Sequence, residues 1–365
     1  MNAARNPLCH CRKFRNSSIF LPHSVDTRPA MMTADAPLAK PARPRRPRDL
    51  LVMGGLLALF AAGFIGLAAA TGWRETWAQV RIVTVWQFGL LLLLSLGNYG
   101  LRALRWHLFS RRLGFGLSLV SDVRHFVGGF AMTVTPARVG ELVRMRWLAR
   151  ESGRTVEATA PVILMDRAGD LAALALLLGL SLALATGGGL TGAPVAVVVA
   201  LAAAIFATRP RLLETVVTRT HAVVRRAPRF FARVRAAVRT MERFDDPRVL
   251  VPALALGCAG WFLEIYAFHL LLVWLGADIG LWHAAAIFVF ATLAGGVTGA
   301  PGGVGGAEAA MIALLVAAQV PLDAAVAATA VIRVTTLWFA LVLGLGVFPL
   351  AERHSLKARD ALENR

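Results

Sequence analysis

Long apolar runs alternate with clusters of arginine along the chain. The first run is 50–70, and a helix needs about 20 apolar residues to cross a bilayer, so this run is long enough. Residues 71–85 form a short connection with Trp73 and Trp77, residue types that favour the membrane–water boundary. Further spans are expected over 86–104, 159–186, 193–207, 250–275 and 325–349. Two other apolar stretches do not read as plain spans. Residues 117–136 are short and run straight into arginines, and 282–320 is interrupted by Gly299-Ala-Pro-Gly-Gly-Val-Gly-Gly306.

Composition agrees with this pattern. Of 365 residues, 57% are hydrophobic and 16% are charged, with a mean hydropathy of +0.62. Globular domains average about 25% charged residues, so the class expected is an all-α polytopic membrane protein. The net charge of +18 would suit a nucleic-acid binder, but the apolar content excludes one, and no nucleic-acid partner is expected. Three cysteines cannot build a disulfide framework.

The arginines also set an expected orientation, because short cytoplasmic loops are enriched in Lys and Arg. The tail 1–48 holds ten basic residues and two acids, and 138–154 holds five Arg and two Glu. The stretch 209–249 holds eleven Arg and four acids. With 102–112 these segments carry 30 of the 39 basic residues, while the loops left outside carry Arg74 and Arg81. Both termini are thus expected in the cytoplasm and the chain in a plasma (inner) membrane. This assignment makes 117–149 and 282–320 re-entrant hairpins, giving six full spans plus two hairpins. The domains expected are a basic tail (1–48, with Met31-Met32 a second candidate start), a membrane domain (49–350) and a short tail (351–365). Within 209–249, Phe230, Phe231, Val234, Val238 and Met241 recur at helical spacing among arginines. That is the pattern of an amphipathic helix on the anionic cytoplasmic leaflet.

The two interrupted segments resemble each other. Pro136-Ala-Arg-Val-Gly140 matches Pro301-Gly-Gly-Val-Gly305 at an offset of 165, with Gly-Gly before each and Glu141 or Glu308 after. Arg167 matches Arg333 at 166, and Leu113-Gly114 matches Leu275-Gly276 at 162. An inverted repeat is expected, with units at about 86–186 and 250–349. Inverted repeats with broken membrane segments are a transporter architecture. Non-helical backbone at membrane depth persists only where protein or a wet cavity covers it. The breaks Pro136, Gly140, Pro301, Gly302, Gly303, Gly305 and Gly306 therefore mark a candidate site, or kinks that serve helix packing.

Charges inside spans are costly and point to function or to buried pairs. Asp166 and Asp170 share a helix face, and Arg167 reaches Asp170 at i,i+3. With Glu264, Glu308, Arg333 and Glu141 they are the candidate lining of a polar site, with Arg167 and Arg333 expected to pair with the hairpin acids. Arg138 and Arg144, like Arg102 and Arg105, read as basic groups near the cytoplasmic surface that could grip phosphate or serve only as topology signals. No Walker A motif, metal-ligand set or nucleophile–base pair is found, so no cofactor, metal or catalytic residue is assigned.

The runs Pro136-Ala-Arg-Val-Gly-Glu-Leu-Val-Arg144, Asp166-Arg-Ala-Gly-Asp170 and Pro301-Gly-Gly-Val-Gly-Gly-Ala-Glu308 resemble the lysylphosphatidylglycerol synthase transmembrane-region family over about 50–350. This flippase-like family includes hopanoid-associated membrane proteins. Where it usually has Glu-Arg this chain has Asp166-Arg167, and where it often has Asn before the proline this chain has Thr133 and Thr135. The resemblance implies transport or handling of a charged or glycosylated lipid or a hopanoid. Membrane lipids, and lipid-biosynthesis enzymes, are the partners it implies. A soluble aminoacyl-transferase domain is not expected after the last span. An enzyme or an accessory scaffold acting with a lipid-linked substrate are the alternatives.

Overall fold

The computed structural model describes residues 73–133, 139–185, 210–224 and 241–364, Gly299 apart, with the isolated positions 198, 202, 231, 235, 238 and 239. The expected basic tail, both candidate starts, the spans at 50–70 and 193–207, and Pro136, Arg138, Phe230 and Val234 lie outside them or almost entirely so. The described elements are helical throughout: α1 (Trp73–Ile82), α2 (Val85–Arg112), α3 (Leu119–Gly128), α4 (Val139–Ser152) and α5 (Val156–Ala185). They continue with α6 (Pro210–Val224), α7 (Pro247–Trp274), α8 (Leu281–Val297), α9 (Gly306–Ala317), α10 (Leu322–Arg333) and α11 (Phe339–Glu363).

Three of these are long and apolar enough to cross a membrane: α5, α7, and the single rod of α10, a π-helical turn at Val334–Trp338, and α11. The rod does not stop where the last apolar run ends but continues as helix through Glu363. Helix α2 is as long as α7, at 28 residues. Its last turns carry Arg102 and Arg105, which lowers its hydropathy without shortening it.

Local sequence accounts for the ends. Thr84 caps α2 and Gln87 reaches back to the Thr84 N–H, a reciprocal cap that satisfies two otherwise orphan donors. Asp246 caps α7, with Pro247 in the first turn where its missing N–H costs nothing. The C-termini of α2 and α7 close identically. Phe115 N–H reaches Ser110 O and Gly114 N–H reaches Arg111 O; Ala277 N–H reaches Leu272 O and Gly276 N–H reaches Val273 O. Gly114 and Gly276 take φ of 74° and 73°, a left-handed conformation that glycine adopts without Cβ strain.

Between the long helices lie two interrupted segments. Helix α3, a 3₁₀ turn at Gly129–Met132 and α4 form the first; α8, a 3₁₀ turn at Pro301–Gly303 and α9 form the second. At 10 residues α3 is about 15 Å long, half a bilayer core, which fits a segment that does not cross alone. These segments close alike as well: Gly153 ends α4 and Gln319 ends α9, both at positive φ.

Helices α2, α5, α7 and α8 pack together at the centre, and α11 covers the first interrupted segment. One apolar cluster joins α5, α7, α8, α9 and α10 through residues such as Phe268, Phe288, Leu315 and Ile332. A second joins α2, α3, α5 and the start of α7 around Trp106, Phe109, Phe126 and Phe244. Val238 and Met241 belong to this second cluster. The expectation that they face the leaflet is corrected for these two: their helical spacing buries them against protein.

Gly344 is where α11 meets the 3₁₀ turn. A Cβ there would stand 2.3 Å from Ala131 N and 2.7 Å from Phe130 C. Gly346, two residues on, meets nothing within 4 Å. Gly344→Ala is therefore expected to destabilise by about 1–3 kcal/mol through overpacking against rigid backbone, and Gly346→Ala to leave stability unchanged or raise it. Thermal unfolding of the two purified variants in detergent measures the difference; equal midpoints would remove this contact from the account.

Candidate functional site

Asp166, Arg167, Asp170, Glu308 and Arg333 fall in two groups. In the first, Asn98, Arg102 and Arg105 share one face of α2, spaced by four and three residues. They meet Asp166 and Asp170, one turn apart on α5. Arg105 Nη2 donates to Asp166 Oδ1 and to Asp170 Oδ1, both at 2.6 Å, and to the Asp166 carbonyl at 3.1 Å. Arg102 Nη2 donates to Asp170 Oδ2 at 2.6 Å, and Trp261 Nε1 on α7 donates to Asp170 Oδ1 at 3.2 Å. The Trp261 ring also lies 4.7 Å under the Arg102 guanidinium, a cation–π contact that is stronger when desolvated. Arg167 reaches Asp170 at 3.5 Å. Arg105 is wholly buried and Asp166 is 1% exposed.

Room for Arg105 comes from glycine. A Cβ on Gly257 of α7 would stand 2.7 Å from its Nη1, and one on Gly169 of α5 3.3 Å away. The guanidinium therefore occupies a seam that larger residues would fill.

The second group sits at the break between α8 and α9. Arg333, at the end of α10, donates through Nε to Glu308 Oε1 and through Nη2 to the Gly302 carbonyl at 2.9 Å. The other oxygen of Glu308 accepts the Gly305 N–H at 2.6 Å. Gly302, Gly303 and Gly305 all have positive φ, so this backbone cannot satisfy itself as a helix does. One ion pair instead supplies a donor to its carbonyl and an acceptor to its amide. In an apolar surrounding each unmet group would cost several kcal/mol. Arg333 lies immediately before the π turn, in which Tyr99 Oη of α2 donates to the Thr336 carbonyl.

The expected residues are thus distributed as follows. Asp166, Asp170 and Arg167 lie together, as their spacing implied. Arg333 pairs with Glu308, the acid after the second break, whereas Arg167, also expected to pair with a hairpin acid, lies 3.5 Å from Asp170. Gly306 opens α9, where a Cβ would strike the Thr298 side chain. Glu264 is buried on α7 and accepts from Asn98 Nδ2. Gly140 and Glu141 fall in the first turn of α4. Arg144 is not surface-exposed: it is 4% exposed, donates to the Phe126 carbonyl at 2.6 Å and lies over the rings of Trp106, Phe126 and Phe130.

The reading of Arg102 and Arg105 as cytoplasmic basic groups is corrected: they are the cationic half of the buried network. The i, i+4, i+7 spacing of Asn98, Arg102 and Arg105 at the end of an apolar run was the available signal, because a topology signal has no need to keep one helix face. Tyr99 and Trp261 carried no such signal.

A peripheral cluster fastens α4 to its neighbours. Arg150 Nη1 and Trp147 Nε1 hold Glu352 of α11 at 2.8 and 2.6 Å. Glu151, at the end of α4, has Arg124 and His125 of α3 each at 3.0 Å. Burial alone would raise the Glu151 carboxyl, but His125 and Arg124 outweigh it and hold the carboxyl below its ordinary range. A depressed acid stabilises above its unfolded value of 4.5 and loses that contribution as pH falls through the lower folded value. Hydrogen exchange in α4 is thus expected to rise below pH 4.5 in the native chain. In Glu151→Gln this step is expected to disappear; an unchanged acid step would exclude Glu151 as its source.

A partner-removal experiment tests the central network. Arg105→Leu leaves Asp166 buried without its cation and is expected to cost about 3–5 kcal/mol. The double variant Arg105→Leu/Asp166→Leu is expected to recover most of that loss. Urea or thermal unfolding in detergent reads both, and strictly additive losses would mean that the pair is not coupled.

Comparison with known proteins bears on the family of the chain. The profile of the family described as "Lysylphosphatidylglycerol synthase TM region" matches residues 51–344. A protein of Methanothermobacter thermautotrophicus described as "UPF0104 membrane protein" is 31% identical over 122 residues. That alignment takes in 32% of this chain and 36% of the relative, so the chain spans about a third of the relative's length.

Proposed function

The chain belongs to the lysylphosphatidylglycerol synthase transmembrane-region family, and from that premise we propose that it moves a lipid with a charged or glycosylated headgroup, or a hopanoid, between leaflets of a plasma membrane. That it is an integral membrane protein of this family follows from the match and from its apolar helices. The transport reading goes further. Its support is the placing of two charged groups beside two interrupted helical segments, one of which has its broken backbone held by the Arg333–Glu308 pair.

Two copies of one unit, inverted in the membrane, account for the shared features. The matching caps at Gly114 and Gly276, and at Gly153 and Gln319, keep offsets of 162 and 166, close to those of the sequence motifs. In this reading each interrupted segment re-enters from its own side, the chain crosses six times, and both termini are cytoplasmic. The headgroup exchanges partners with the arginine–carboxylate groups as the hairpins move, and the acyl chains stay in lipid. Arginine suits such exchange because its planar fork matches both carboxylate and phosphate.

A second reading rests on the closure of the same pairs. Arg102, Arg105, Arg167 and Arg333 are matched in number by Asp166, Asp170, Glu264 and Glu308. A balanced, hydrogen-bonded set suits a rigid accessory protein of lipid biosynthesis.

Leaflet transfer of headgroup-labelled lipid in proteoliposomes separates the two. Under the transport reading, Arg167→Ala and Glu308→Ala each reduce transfer to the protein-free background while the protein still elutes as a folded species. Glu308→Gln keeps an acceptor for the Gly305 amide and is expected to stay folded while losing transfer. Unchanged transfer in both single variants rejects the mechanism and favours the rigid accessory role.

A further inference from the structure

Of the five acids buried in the described helices, Asp122 has His107 at 2.6 Å and three others have an arginine at ion-pair distance. Asp166 has Arg105, Asp170 has Arg102 and Arg105, and Glu308 has Arg333. Glu264 differs. It is 5% exposed, and among the described residues no guanidinium lies within ion-pair distance of it. Its partner is the side-chain amide of Asn98, which is wholly buried and whose Oδ1 has no partner among the described residues.

The chemistry of that partner is informative. An arginine offers donors only and suits a carboxylate alone. An amide carries both a donor and an acceptor. When Glu264 is ionised, Asn98 Nδ2–H donates to it. When Glu264 is protonated, its O–H can donate to the amide oxygen, which is otherwise idle. A turn of the amide about its own bond lets Asn98 serve either state of the acid, whereas an arginine offers donors alone.

The surroundings are mixed. From α2 come Asn98, Tyr99 and Arg102, from α5 Asp170, and from α10 Arg333. The titratable residue of α8, His283, is exposed. Arg102 and Arg333 belong to the two charged groups described above, so Glu264 stands between them electrically without being paired to either. A change of charge at Glu264 is felt by both.

We infer that Glu264, held by Asn98, is a proton-binding site that couples a transmembrane proton gradient to the movement of the lipid. A proton from the aqueous phase on one side adds to a Glu264 carboxylate oxygen, giving a neutral acid; it leaves to the other side after the hairpins rearrange, restoring the carboxylate. Neutralising Glu264 removes one negative charge between Arg102 and Arg333 and so frees cationic character for an anionic headgroup. The coupling part of this inference rests on the transport reading; the proton site does not.

Two experiments on the reconstituted full chain keep these apart. A hydrophobic carbodiimide modifies protonated carboxyls in apolar surroundings, and peptide mass spectrometry locates the adduct. Labelling is expected at Glu264, falling about tenfold per pH unit above its midpoint, and absent in Glu264→Gln and at the arginine-paired acids. No adduct at Glu264, or labelling that ignores pH, overturns the proton site whether or not lipid moves. The second experiment measures the initial rate of transfer of a headgroup-labelled lipid with and without an imposed pH gradient. The native chain is expected to respond to the gradient, and in Glu264→Gln the ratio of the two rates is expected to fall to about one. A gradient response kept in Glu264→Gln overturns the coupling. Should the native chain transfer no lipid, the transport reading fails while the labelling result still decides the proton site. Size-exclusion elution and thermal unfolding confirm that Glu264→Gln, nearly isosteric, is folded.

Discussion

Burial of Arg105 between two aspartates is the interaction on which the helical packing depends. An isolated buried charge would be very costly, and the pair offsets this through close geometry and several hydrogen bonds. Arg105 meets Asp166 and Asp170 together, Arg102 meets Asp170, and Trp261 contributes a further donor to Asp170. These contacts bring α2, α5 and α7 into one register. Gly169 and Gly257 are then required, because the guanidinium occupies the space where side chains would interdigitate. The aromatic and aliphatic clusters on either side add area, but area alone does not choose between neighbouring registers of smooth apolar helices.

The same constraint governs the break at Pro301–Gly306. Irregular backbone in an apolar setting must find partners in side chains, and Arg333 and Glu308 provide them while neutralising each other. The pair therefore supports a backbone shape, and this differs from the first group, whose arginines serve helix packing. At α2 and α10 a related solution appears, where Tyr99 satisfies a carbonyl of the π turn. Polar side chains in this protein are in large part the means by which non-ideal backbone and buried charge become tolerable.

Glu264 departs from that rule. Every other buried acid of the two groups is held by a cation, whereas an amide holds this one. A site whose partner serves both protonation states can change charge at little structural cost. The other acids of the two groups are held by guanidinium groups, so the amide-held acid and the arginine-held acids occupy different places in one network.

Much of this was legible from sequence. The helical class, the interrupted segments, the pairing of Arg333 with Glu308 and the clustering of Asp166, Arg167 and Asp170 follow from hydropathy, motif spacing and helical periodicity, all of which are local or repeat along the chain. The roles of Arg102, Arg105 and Arg144 were not legible, because an arginine beside an apolar run reads the same whether it reaches the surface or turns inward. Val238 and Met241 posed the same ambiguity, since one apolar stripe can face lipid or protein. Nor could sequence tell that Glu264 would meet Asn98 and not an arginine. Which helix faces lie opposite one another decided those points, and that depends on partners far apart in the chain: Arg105 with Asp166, Asn98 with Glu264, and Tyr99 with Thr336.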